Sequence, residues 1–208
     1  MSIELPTAAE AETLALGRRS GWPSELTALL ARYPREQWQG HANLGEMARF
    51  WLSRHAMFRE LAEAIAGIDA AFRAGKLPPA EFPGLLVPRL QFLLSQLGVH
   101  HQIEDLHYFP IFSAAEPRLK RGFEVLEADH HAIHADMAAT AESANALLRA
   151  LAAAAGEPGA LKRRGEDYSG ASGRLIKGLT RHLDDEEDLI VPLILDRGEQ
   201  ALGVAHHG

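Results

Sequence analysis

Apolar side chains recur at steps of three and four residues over most of the chain, and the two-residue alternation typical of half-buried strands is nearly absent. The clearest example follows Asn43, where the recurring apolar residues are Phe50, Leu61, Ile65, Ile68 and Phe72. Helix-forming Ala, Leu, Glu and Arg dominate these stretches. The pattern therefore predicts an all-α protein.

Four long helices are predicted, at about residues 43–75, 85–108, 116–156 and 166–195. Asn43 is expected to cap the first, Pro110 to end or kink the second, and "GEPGA" to form a turn before the fourth. Short loops between long helices favour antiparallel neighbours. The fold expected is an up-down-up-down four-helix bundle.

The pattern also divides the chain into three parts. Residues 1–42 are predicted to form an N-terminal arm with short helices, one at residues 8–19 and one at 24–33 with Ser24 as its N-cap. Residues 43–196 would form the bundle, and residues 197–208 a C-terminal tail.

Composition narrows the classes of function. A net charge of −7 argues against nucleic acid as a partner, because phosphate binding needs a basic face. The absence of cysteine excludes thiolate ligands, so any metal must be held by nitrogen and oxygen atoms. The start of the chain lacks the features of a signal peptide, and no apolar run approaches twenty residues. We expect a cytoplasmic protein without a membrane partner.

Two stretches, "HHQIEDLHYFP" and "HLDDEEDLIVP", share one outline on the second and fourth predicted helices. In each, a His precedes a Glu by four positions, a second acid follows, and a Pro lies ten positions after the His. The pairs are His100 with Glu104 and His182 with Glu186. Residues four apart lie on one face of a helix, so each pair can serve one site.

The other two long helices also carry histidines. His130 and His134 share a face of the third helix, and His55 lies in the apolar stripe of the first, one turn after Trp51. A single helical His is usually not a ligand, and a run such as "DDEED" is usually a solvated face. The joint occurrence on four helices indicates otherwise, because burying so many polar groups without a metal costs several kcal/mol each.

The ligand types suit iron, manganese, zinc or nickel, and two carboxylates favour iron or manganese. Five imidazoles and two carboxylates exceed the coordination of one ion, so a dinuclear centre is predicted. Its candidate ligands are His55, His100, Glu104, His130, His134, His182 and Glu186.

With these motifs the chain resembles the hemerythrin-like proteins of the HHE cation-binding group, over roughly residues 43–196. The resemblance implies a four-helix bundle around two non-haem iron ions, with manganese and zinc left open. It implies that Glu104 and Glu186 bridge the ions and that the histidines are terminal ligands. The oxygen-carrying members differ in the spacing on the fourth helix, which is His-x3-Glu here.

Three neighbouring histidines compete with this assignment. His101 and Asp105 have the same spacing as His100 and Glu104, but the fourth helix has Leu183 where His101 stands, so His101 is expected to face outward or to support a ligand. His131 is an alternative to His130, although only His130 shares a face with His134. His107 is a further candidate for hydrogen bonding to a ligand.

The function expected is binding of O2, NO or peroxide for sensing, storage or detoxification. The alternatives are a redox enzyme that reduces NO or peroxide, or a protein for iron storage or donation, and the sequence leaves open whether the chain is an enzyme. Enzymatic turnover would need an electron-donor protein, because no flavin or haem motif is present. The arm is expected either to cap the bundle or to respond to oxidation of the centre.

Overall fold

The computed structural model describes residues 13–153 and 158–205. Every regular element among these residues is helical, and they contain no strand. The all-α class expected from the periodicity is confirmed. The up-down-up-down order of the helices stays a prediction.

Four long helices account for most of the described residues: α2 (Glu46–Arg73), α3 (Phe82–Ile103), α5 (Lys120–Ala152) and α6 (Pro158–Arg197). Three short helices accompany them: α1 (Ala28–Arg32), α4 (Phe109–Ala115) and α7 (Glu199–Leu202). A π-helix, Glu104–Tyr108, joins α3 to α4, and single 3-10 segments span Arg35–Gly40 and Pro117–Leu119.

The predicted N-caps of two helices are wrong. Helix α1 begins only at Ala28, and the main-chain carbonyl of Ser24 accepts a hydrogen bond from Thr27 instead. Helix α2 begins at Glu46, and the side-chain amide of Asn43 donates to the carbonyl of Leu195. Ser24 thus takes part in a local turn and Asn43 in a long-range hydrogen bond, so neither side chain caps the predicted helix.

Two helix boundaries also differ from the prediction. Pro110 does not end the second helix, because the π-helix before it lets the chain continue into α4 with the proline in its first turn. Helix α6 begins at Pro158, eight residues earlier than expected, so residues 158–160 of the predicted "GEPGA" turn are helical. Residues 156–157 of that turn and residues 8–12 of the helix predicted at 8–19 lie outside the described residues. Within 13–19 only residues 13–14 are helical, so the described part of that predicted helix is mostly a turn.

The described residues form two compact units. The first comprises the described parts of residues 1–53, 103–131 and 181–208. Its core contains Trp38, Trp51, Phe112 and Leu126 together with the run Leu193–Leu195 near the end of α6. Leu26 and Leu29 of the arm are buried in the same core. The arm is thus packed into this unit by its apolar side chains.

The second unit comprises residues 54–102 and 132–180. Its interior is aromatic at one end, where the Phe82 ring lies 4.3 Å from Phe72 and 6.3 Å from Tyr168 between centroids. Burial raises the pKa of the Tyr168 hydroxyl to about 12, so it stays neutral. Leu97 and Ile133 are among its fully buried side chains.

One residue of the apolar stripe predicted for the first helix is on the surface. Phe50 is 60% exposed, whereas Ile65 in the same stripe is buried. Among the described helices, none combines the length and the apolar character needed to cross a membrane.

Candidate metal centre

The π-helix that follows α3 positions two acidic side chains. Its wide turn is closed by the hydrogen bond from the Phe109 N–H to the Glu104 carbonyl, one residue more than in an α-helix. Glu104 is buried, and the neighbouring Asp105 is close enough for its Oδ1 to lie 2.7 Å from Nδ1 of His130. Such a turn is frequent at functional sites because it changes the direction of side chains within a helix.

Glu104 and Glu186 are both almost completely buried. The indole N–H of Trp51 donates to Oε1 of Glu104 at 2.7 Å, and Nε2 of His130 lies 3.7 Å from its Oε2. Nε2 of His182 lies 3.4 Å from Oε2 of Glu186. Burial, and then the adjacent Glu104 carboxylate, raise the pKa of Glu186 well above its ordinary value. A bound cation would offset this electrostatic cost.

The buried imidazoles occur in close pairs. Nε2 of His55 lies 3.1 Å from Nε2 of His100, and Nε2 of His130 lies 3.1 Å from Nε2 of His182. Two nitrogens bound to one ion at about 2.1 Å, about 90–109° apart, would lie about 3.0–3.4 Å from each other. The spacing within each pair therefore suits two ligands of one ion.

Two groups of side chains bring potential ligand atoms within 4.8 Å of one another. One group comprises His55, His100, Glu104 and Glu186, and the other comprises His101, His130 and His182. All seven residues are buried. Imidazole and carboxylate donors without thiolates suit iron, manganese or zinc.

Two carboxylates lie beside the Nδ1 atoms of the His130 and His182 rings. Nδ1 of His130 lies 2.7 Å from Asp105, and Nδ1 of His182 lies 3.5 Å from Oδ2 of Asp129. An ionised carboxylate only accepts hydrogen bonds, so the hydrogen is placed on Nδ1 and Nε2 is left to bind an ion. Burial lowers the pKa of His130, which favours the neutral imidazole that metals require.

Aromatic rings border the histidines. The Phe58 ring lies 5.1 Å from that of His100, and Phe109 stacks on His130 at 5.4 Å. Both phenylalanines are buried. Their rings limit the access of water to these imidazoles.

Six of the seven predicted ligands fall in the two groups, and His134 does not. His134 is exposed, and its Nε2 lies 3.1 Å from Nδ1 of His101. His101 itself is fully buried and belongs to the second group, so the expectation that it faces outward is wrong. Leu183, its counterpart on α6, is equally buried, which shows that the position points inward in both helices.

The other competing histidines lie on the surface. His107 and His131 are both exposed. A run such as "DDEED" is usually a solvated face, but Asp185, Glu186 and Glu187 are buried here. Arginines of the arm and of α6 pair with Asp185 and Glu187.

Sequence reasoning missed the residues that support the candidate ligands. Trp51 lies in the apolar stripe of the first long helix, where a tryptophan is usually plain core, yet its N–H donates to Glu104. Arg19 had no signal in the sequence, because it lies 110 positions before its partner Asp129 and no local spacing connects the two. An aspartate directly before a ligand histidine is a sequence feature that could have pointed to Asp129.

Comparison with known proteins adds one result. The model of the hemerythrin HHE cation binding domain matches residues 46–194, which is most of the chain. Neither the curated proteins nor the solved structures include a significant match. The match covers three of the long helices completely, the fourth up to residue 194, and both groups of potential ligands. The chain therefore belongs to the hemerythrin HHE cation-binding domain family.

Proposed function

We propose that this chain is a non-haem di-iron protein that binds O2, NO or peroxide at a buried, carboxylate-bridged centre, for sensing, storage or detoxification. The observation that carries the proposal is the convergence of two imidazole pairs and two buried carboxylates in a protein of this family. His55 and His100 would serve one ion and His130 and His182 the other. Glu104 and Glu186 would serve both.

The third imidazole of the second ion has two candidates, His101 and His134. The sequence suggests His134, whereas His101 is the buried ring that lies with His130 and His182. We assign His101 to the ion and His134 to the hydrogen bond that orients it. His101→Gln should then remove more metal than His134→Gln.

The donor set supports iron or manganese over zinc, because buried carboxylates on two helices suit bridging between hard ions. A ferrous pair held by these residues would supply the electrons for reaction with a small oxidant. The protein contributes neutral imidazoles, through burial and the Asp105 and Asp129 carboxylates. It also contributes the phenylalanine rings that keep water away. A small ligand is the kind that such an enclosed centre admits.

The alternative of enzymatic reduction is distinguished by turnover. Continuous reduction of NO or peroxide needs an electron-donor protein, whereas a carrier or sensor binds one equivalent and stops. Rapid mixing of the ferrous protein with each oxidant, with and without an added reductant, separates the two. We expect stoichiometric reaction without sustained turnover.

The ligand assignment is tested with Glu104→Ala and Glu186→Ala, compared with Glu63→Ala on the exposed side of α2. Loss of a bridge should lower iron from about two per chain to below one, as expected for a dinuclear carboxylate site. The Glu63 variant should keep the wild-type content. Full iron in both bridge variants would show that these carboxylates are not ligands.

A further inference from the structure

We propose that Arg19, in the arm that precedes α2, is a positioning residue of the metal centre: it holds Asp129 and Asp185 in place and thereby orients the His182 ring. The inference rests on the proposed function, because it assigns Arg19 a role toward ligands of that centre. It concerns a residue outside the segment that matches the family model.

The guanidinium of Arg19 bridges two helices. Its Nη2 donates to Oδ2 of Asp129 at 2.5 Å and its Nη1 to Oδ1 of the same carboxylate at 3.3 Å. Its Nε donates to Oδ2 of Asp185 at 2.7 Å. The side chain of Arg19 is fully buried, and those of the two aspartates are nearly so. Asp129 belongs to α5 and Asp185 to α6.

Both aspartates stand next to candidate ligands in the chain. Asp129 directly precedes His130, and Asp185 directly precedes Glu186. The bridge through Arg19 therefore fixes the spacing of α5 and α6 at the level of these ligands. A fork that pairs with both oxygens of a carboxylate also fixes the plane of that carboxylate.

The same Asp129 carboxylate faces His182. Its Oδ2, which accepts from Arg19, lies 3.5 Å from Nδ1 of the His182 ring. With the carboxylate fixed by the arginine, Nδ1 is the ring nitrogen that keeps its hydrogen. Nε2 is then available on the side of Glu186. Such carboxylate partners orient a ligand histidine and raise its basicity.

Contacts with other residues of the arm hold the Arg19 side chain in place. The carbonyl of Leu14 accepts from Nη1 at 2.6 Å, and the guanidinium lies 4.7 Å from the ring of Trp22. The indole N–H of Trp22 donates to the carbonyl of Asp185 at 2.8 Å. The arm thus holds both the arginine and the segment of α6 that the arginine binds.

The experiment compares Arg19→Met with Arg32→Met. Arg32 is a matched control, since it also lies in the arm and pairs with an acid of α6, Asp196, but with its side chain 67% exposed. The first readout is the tautomer of His182 in the metal-free protein by nitrogen-15 NMR, with His182→Gln used to assign the signal. The second is the dissociation constant for Co²⁺ added alone under anaerobic conditions.

We expect Arg19→Met to reduce the Nδ1–H tautomer of His182 and to weaken Co²⁺ binding about 10- to 100-fold. Arg32→Met should match the wild type, and Arg19→Lys should fall between. A folded Arg19→Met protein with the wild-type tautomer and affinity would overturn the inference. A merely structural role of Arg19 would change stability without changing the tautomer.

Removal of Arg19 alone leaves the buried Asp129 without its cation and can prevent folding. The double variant Arg19→Met with Asp129→Asn removes both charges, and Asp185 keeps its pair with Arg181. The same losses are expected there, and their absence would equally overturn the inference. If the wild type takes up no Co²⁺, the proposed function fails, and the tautomer comparison still decides whether Arg19 orients His182.

Discussion

At the scale of single residues, the centre is defined by carboxyl groups that are costly to bury. Glu186 has no exposed surface, and its pKa is raised by burial and by Glu104. A residue in this position destabilises the metal-free fold at neutral pH and becomes favourable only with a bound cation. Such a conflict between stability and burial is typical of a functional site.

Glu186→Gln should therefore stabilise the metal-free protein while it impairs metal binding. The pKa of Glu186 is raised in the folded protein. The contribution of this residue to the stability of the folded state is therefore complete below its ordinary pKa of 4.5 and is lost as the pH rises through its pKa in the folded protein. The wild type should lose about 1.4 kcal/mol per pH unit relative to the variant in that window. Denaturant unfolding of both proteins between pH 4.5 and 8 measures the difference. A constant difference would contradict this account.

Trp51→Phe should weaken metal binding about 10-fold, because it removes the hydrogen bond that orients Glu104. Trp38→Phe is the matched control, since Trp38 is also buried and its N–H donates to the carbonyl of Tyr33. Both variants should lose about 1 kcal/mol of stability. Titration of each metal-free protein with Fe²⁺ distinguishes them, and equal affinities would show that Trp51 has only a packing role.

The sequence predicts which residue types form the centre but not every residue that takes part. Spacing identifies His100 with Glu104 and His182 with Glu186, since those pairs share a helical face. Spacing fails for His101, because a histidine and a leucine occupy equally buried positions at this point of the repeat, and residue type alone does not reveal that burial. Trp51 and Asp129 act through contacts with distant parts of the chain, which periodicity does not encode.

At the scale of helices, the ends are held by side chains from elsewhere in the chain. The carboxylate of Glu199, in α7, accepts from the N–H groups of Met47 and Ala48 in the first turn of α2. A carboxylate at this end satisfies unpaired donors and complements the helix dipole. Helix α2 therefore needs no cap of its own.

Glu199→Ala should cost about 1 kcal/mol of stability through the loss of this cap. In a chain of this size, that loss corresponds to a Tm lower by about 2–4 °C. Glu60→Ala, at an exposed position within the same helix, should have little effect. Thermal unfolding followed by circular dichroism makes the comparison, and equal Tm values for the two variants would rule out the cap.

Glu116 lies just before α5 and accepts several hydrogen bonds there. It accepts from the main chain and side chain of Arg118 and from Arg197 at the end of α6. The hydrogen bond with Arg118 lowers the pKa of Glu116 to about 2. The stabilisation it provides is therefore present above the ordinary value of 4.5 and is lost as pH falls toward 2.

Glu116→Gln should destabilise the protein by about 1 kcal/mol at pH 7, a modest value because both arginines are partly exposed to water. The difference from the wild type should shrink as pH falls below 4.5. Denaturant unfolding at pH 7 and pH 3 tests this. A difference that grows on acidification would contradict the assigned ion pairs.

The existence of the long helices follows from the sequence, whereas their ends do not. Helix α6 extends over Gly165, Gly170 and Gly173 to Pro158, although glycine costs about 1 kcal/mol in a helix interior. Packing against other parts of the chain outweighs this cost. The π-helix at Glu104 leaves no mark in the periodicity, because it inserts a single wide turn into an otherwise regular pattern.

At the scale of the whole molecule, the arm and the acidic run of α6 are complementary. The chain has a net charge of −7, and the acids at 184–188 are concentrated beside a candidate ligand. Arg19 and Arg35 of the arm pair with Asp185, Glu187 and Asp188. The sequence predicts the arm as a separate segment but not this pairing, which depends on residues more than 150 positions apart.

The most direct test of the central claim is the metal content of untagged protein, expressed without added metal and compared with a version that ends at Ala205. The comparison removes His206 and His207, which could bind stray ions. The account predicts about two irons per chain in both forms, with charge-transfer absorption in air, as expected for a di-iron carboxylate centre. Protein that contains no iron and takes up none from an anaerobic ferrous solution would contradict it.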